Sequence, residues 1–126
     1  MNDDELRDYY RKVVLNAIRF LALDYAQQRK VPPPFATLIQ FIEEAIPDPI
    51  MLATEFEDCT GCSVFSKDER TELCNLRSIL EQDLDRFYPS GVSGDDDTEF
   101  LRTMRSSARS LIERFGWDGP VDTGHL

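Results

Sequence analysis

Cys59-Thr60-Gly61-Cys62 sets two thiols at the spacing that can share a metal ion or close a redox disulfide, and Cys74 adds a third sulfur further on. Zinc is the ion such a set would take. A tetrahedral site then needs a fourth ligand, either the Asp58 carboxylate or His125, which is the only histidine and stands next to the last residue. A redox motif of the thioredoxin type follows an apolar strand, whereas Glu55-Phe56-Glu57-Asp58 precedes this one. Those acidic neighbours also oppose thiolate formation. Three readings of Cys59, Cys62 and Cys74 therefore stand open: a metal site, a redox-responsive pair, or incidental thiols. With no second pair of cysteines, the expectation is no cofactor.

Carboxylates are the second resource. From Val31 to Ser66 there is no Lys or Arg, and the stretch holds Glu43, Glu44, Asp48, Glu55, Glu57 and Asp58. Paired carboxylates can hold a metal or do acid–base work, but nothing in these spacings separates them from a solvated face. A lone, near-terminal histidine gives Ser-His-Asp or Cys-His chemistry no centre. No P-loop, GxGxxG, HExxH or GxSxG pattern occurs. The expectation is a protein that is not an enzyme. A second acidic cluster, Asp95, Asp96 and Asp97 followed by Glu99, lacks the alternating ligands and sixth-position glycine of a calcium loop and suits the positive start of a helix. Arg102, Arg105 and Arg109 fall on one side of the helix that follows. They can bind an anion or pair with carboxylates across a bundle.

The balance of 24 acidic against 14 basic side chains, a net charge of −10, disfavours nucleic acid or an anionic membrane as a direct partner, because phosphate recognition needs a cationic surface. It suits a basic protein partner, whose encounter opposite charge accelerates. No run approaches the ~20 apolar residues of a membrane span. The acidic start, Met1-Asn2-Asp3-Asp4-Glu5, is unlike a signal peptide. Three cysteines without an export signal point to a cytoplasmic, reducing setting.

Helical periodicity dominates, so the fold class expected is all-α: one domain over residues 1–126, a bundle of four to five helices with a proline-rich connector and a loose, irregular tail from residue 116. The first helix should run from Asp3 to about Arg29, capped by Asn2. Leu6, Tyr10, Val13, Ala17, Phe20 and Leu21 line one face, and Leu15, Ile18 and Ala22 a second. Two apolar faces imply a central helix, or one that also meets a partner, including a second copy of the chain. Asp24 interrupts the pattern: the helix bends or ends there, or Asp24 is buried and paired. Pro32-Pro33-Pro34 stops this helix, and a strongly apolar one (Phe35, Leu38, Ile39, Phe41, Ile42, Ile46) starts near Pro34 and ends at Pro47-Asp48-Pro49. A short helix follows from Ile50 to about Asp58, with a turn at residues 59–62. The next spans Ser66 to Tyr88, opened by a Ser66/Glu69 capping box and striped by Leu73, Leu76, Leu80, Leu84 and Phe87. The last runs from about Asp97 to Phe115 and stops at Gly116. Trp117 is the tail residue expected to dock on the bundle.

Phe87-Tyr88-Pro89, a short glycine-bearing loop and Gly94-Asp95-Asp96-Asp97 leading into a helix together resemble the corresponding segment of the colicin-type nuclease immunity proteins. The resemblance covers about a dozen residues. It implies a small acidic helical protein that inhibits a DNase toxin, with tyrosines and an acidic loop touching the toxin. Tyr88 matches the second tyrosine of that segment, Asp95 to Asp97 match the acidic loop, and Phe87 stands where the family has its first tyrosine. The functional expectation is a bacterial or phage inhibitor or immunity protein that meets a basic partner through Glu43, Glu44, Glu55, Glu57, Asp58, Tyr88 and Asp95 to Asp97. Three other readings stay open: a nucleic-acid mimic acting on a host factor, a metal- or redox-responsive module, and a homo-oligomer built on the Leu15/Ile18/Ala22 strip.

Overall fold

The computed structural model describes residues 2–30, 42, 45–87 and 99–122. Among them there are five helices and no strand: α1 (Asp3–Leu21), α2 (Tyr25–Gln28), α3 (Pro47–Thr60), α4 (Lys67–Phe87) and α5 (Glu99–Phe115). The expected helical bundle is therefore present. No helix among the described residues is long and apolar enough to cross a membrane.

α1 lies at the centre, packed against both α3 and α5, while α4 packs on α5 and α3. Val14, Ala17, Ile18, Phe20 and Leu21 of α1 meet Ile42, Ile46, Ile50, Ala53, Leu73, Leu76, Leu80, Phe100, Leu101, Met104 and Ala108 in one hydrophobic cluster. Both expected strips of α1 reach the core: Ala17, Phe20 and Leu21 of the first and Ile18 of the second are buried, and Val14 is buried with them. Ile18 is fully buried, and Leu15 and Ala22 pack against the same cluster, so the second strip is used within the chain.

α1 stops at Leu21, well short of Arg29, and three side chains explain how. A helix end leaves carbonyls without partners. Gln28, buried in the turn of α2, donates its Nε2 to Phe20 O at 3.2 Å and Leu21 O at 3.0 Å. Arg109 Nε takes Ala22 O at 2.9 Å, and Arg105 Nε takes Leu23 O at 2.9 Å. Arg105, only 8% exposed, also donates to Gln28 Oε1. The negative end of the α1 dipole thus receives two guanidinium groups. Asp24 is exposed and pairs with Arg109 at 2.8 Å, so the chain ends its helix there rather than burying a carboxylate.

Pro47 and Pro49 open α3 instead of merely closing what precedes it: proline lacks the N–H that a first helical turn leaves unpaired. The helix expected from Pro34 falls mostly outside the described residues. Ile42 and Ile46 are its described apolar members, and both are fully buried. Cys59 and Thr60 belong to the last turn of α3, and Gly61 ends it in the left-handed region at φ 74°. The capping box of α4 forms as expected, with Ser66 N–H donating to Glu69 Oε1 at 2.9 Å and Glu69 N–H to Ser66 Oγ at 3.2 Å. Leu84 and Phe87 of the expected α4 stripe lie outside the described side chains.

The tail is irregular, as expected, but through Asp122 it is not loose. Gly116, at φ 68°, turns the chain, and Trp117 N–H closes on Ile112 O at 3.0 Å. Residues 117–122 then run as a strap across α1. Arg19 Nε donates to Trp117 O at 2.7 Å, and Asn16 both donates to Asp122 O at 2.9 Å and accepts from Asp122 N–H at 2.7 Å. The strap crosses Arg19 at Gly119, where a Cβ would come within 2.7 Å of the guanidinium carbon.

Candidate partner-binding surface

The partner-binding residues singled out from the sequence fall into three groups. Glu43, Glu44, Tyr88, Asp95, Asp96 and Asp97 lie outside the described residues, as does the segment that resembles immunity proteins. Glu57 and Asp58 are brought together at the C-terminal end of α3, and α4 answers them with one cation: Arg70 reaches Glu57 at 3.6 Å and Asp58 at 3.1 Å. Burial pushes the Glu57 carboxyl above its usual range. Arg70 offsets part of this, the neighbouring Asp58 charge pushes the same way as burial, and the Phe65 N–H pulls back. Glu57 and Asp58 are thus already engaged by the fold. Glu55 alone of the expected set is exposed without an ion pair among the described residues.

Glu55 shares its face of α3 with Asp48 and with a leucine that the acidic pattern does not single out. Ile50, Ala53 and Phe56 turn inward and fix the orientation of α3. Asp48, Leu52 and Glu55 consequently line its outer side, at spacings of four and three residues. Leu52 is 45% exposed, one of three large exposed hydrophobic side chains among the described residues. Asp48 likewise makes no ion pair there. α3 carries no Lys or Arg at all. The result is an apolar knob one helical turn from a carboxylate on either side. A periodicity search finds core residues, and Leu52 is conspicuous only once Ile50, Ala53 and Phe56 are known to point inward.

A second acidic residue, Glu69, organises structure instead of surface. Its carboxylate accepts from Arg11 Nη2 at 3.2 Å, from Ser66 N–H and from the Trp117 indole at 3.0 Å. Burial alone would push it up, but the hydrogen bonds from Arg11, Ser66 and Trp117, with the Arg11 charge, hold it below the usual carboxylate range. Trp117 sits between Phe115 and Phe65, with ring centroids at 5.0 and 6.0 Å, and Arg11 lies over Phe65. α1, the start of α4 and the strap are joined at this one carboxylate.

Cys59 and Cys74 are exposed and Cys62 is half-buried; none is in a disulfide. Among the described residues no three His, Cys, Asp or Glu side chains converge as a metal site would require. His125 lies outside the described residues. Of the cationic stripe, Arg109 pairs with the Asp24 carboxylate across the bundle, as expected, and both Arg105 and Arg109 also donate to backbone carbonyls at the end of α1.

No model of a known protein family, no curated protein and no solved structure matches the chain, so the functional reading rests on its own residues.

Proposed function

We propose that this chain is a non-enzymatic acidic domain that binds a basic protein partner through the outer face of α3, in the manner of an inhibitor or immunity protein. The observation that carries the reading is the exposed Leu52 set between Asp48 and Glu55, on a helix without a single basic residue. An apolar anchor ringed by charge is the pattern of a small interface: the carboxylates steer a cationic partner, and burial of the leucine holds it. Glu57 and Asp58 contribute field from the edge of this face, reduced by Arg70. The local resemblance around Tyr88 and Asp95 to Asp97 supports the inhibitor form of the reading, with a basic nuclease as the partner class.

Affinity capture at low salt from cells that make the protein, followed by titration of the captured protein, tests this. Association should slow steeply as ionic strength rises from about 0.01 to about 0.1 M, where the Debye length shrinks from about 30 to about 10 Å. Leu52→Ala should speed dissociation about tenfold, which corresponds to about 1.4 kcal/mol. A captured partner that is acidic, or binding indifferent to both salt and Leu52, would sink the reading.

A further inference from the structure

The strap builds a second concavity, on a different side of α1 from the α3 face and independent of the reading above. Tyr9, Val13 and Asn16 follow one another along α1 at spacings of four and three. Tyr9 is 47% exposed, and Val13 is half-buried without joining the core cluster. Opposite them stand Pro120, Val121 and Asp122, fixed by the paired hydrogen bonds of Asn16. The groove between has a volume of about 500 Å3 and also reaches Lys12 and Arg19. That volume lies within the range of about 300–1,000 Å3 typical of small-molecule sites, and so does its make-up of apolar walls with few polar groups.

Charge selects the ligand. In a chain of net charge −10, Arg7, Arg11, Arg70, Arg77, Arg109 and Arg114 are all engaged by carboxylates. Lys12 is in no ion pair among the described residues. Arg19 donates only to the neutral carbonyls of Trp117 and Asp118. The groove therefore pairs an apolar wall with two cations whose charge meets one lining carboxylate, that of Asp122. Two of the five Arg19 donors, on Nε and Nη2, are held by those carbonyls, which ties one edge of its guanidinium to the strap. The Lys12 ammonium, in no ion pair among the described residues, is the point charge that an anionic head group would meet.

We propose that the groove between the first half of α1 and the C-terminal strap binds a small aliphatic carboxylate, its chain on Tyr9, Val13 and Val121 and its head group at Lys12. The test is titration of the full chain with decanoate, followed by calorimetry and by backbone amide NMR. Saturable one-to-one binding is expected below the micellar range, with amide shifts confined to Tyr9–Arg19 and Gly119–Asp122. Decanol, which keeps the chain and lacks the charge, and Lys12→Gln, which keeps the fold, should each bind about tenfold more weakly, the loss expected for one charge-assisted contact. Absence of saturable binding, shifts centred elsewhere, or a Lys12→Gln variant that binds decanoate as well as the parent chain would overturn the proposal.

Discussion

Around α1 the fold consumes the charge it is given; on the outer side of α3 it leaves charge to solvent. Arg105 and Arg109 spend their guanidinium groups on Leu23 O and Ala22 O, and Glu69 spends its carboxylate on Arg11, Ser66 and Trp117. Asp48 and Glu55, on an equally well-packed helix, make no ion pair among the described residues. The lesson is that acidity alone locates nothing in a chain this acidic. A carboxylate becomes informative when the fold has had the chance to use it and has not. Substitutions in the first region should cost stability, and substitutions on the α3 face should cost binding.

Glu69→Ala should have the largest effect on folding. It removes one half of the α4 capping box and leaves Arg11 and the Trp117 indole without their shared acceptor. A loss of about 3 kcal/mol follows, read in urea unfolding by the fluorescence of Trp117, the only tryptophan. Gln28→Ala comes next. It strips Leu21 O of its side-chain donor at a buried helix end and takes from Arg105 its amide partner, a loss of about 2 kcal/mol by the same assay.

A pH series sharpens the contrast between the two partly buried carboxylates. Glu69, held low when folded, contributes stability above the unfolded carboxylate value of 4.5 that disappears as pH falls through its folded value. The stability gap between the parent chain and Glu69→Gln should therefore close below that value. Glu57 is raised, so its contribution is complete below 4.5 and is lost as pH rises through its folded value. Glu57→Gln should accordingly leave stability at neutral pH unchanged or slightly higher, within about 1 kcal/mol. A Glu57→Gln loss as large as that of Glu69→Ala would break the distinction.

Much of the scaffold was legible from local chemistry. Asn2 and Ser66 cap their helices, Gly116 stops α5 and Trp117 docks, because caps, turn glycines and large aromatics act within a few residues. Asp24 marked the end of α1, but the donors that end it, Gln28, Arg105 and Arg109, come from up to 87 residues away and left no local pattern. Asn16 did leave one, a polar residue between Val13 and Phe20 on an apolar face, and the strap it holds was expected to be loose. On α3, Glu55 was visible as part of an acidic stretch. That Arg70 neutralises its neighbours Glu57 and Asp58 was not, since α4 brings that cation in from another element.

The central claim is that the outer face of α3 is the partner surface. Its most direct test is Glu55→Lys combined with Leu52→Ala, measured both for unfolding in urea and for association with the captured basic partner at low salt. The account predicts stability within about 0.5 kcal/mol of the parent chain and affinity reduced about a hundredfold, with part of the loss in the association rate. Unchanged affinity in a folded double variant would contradict it.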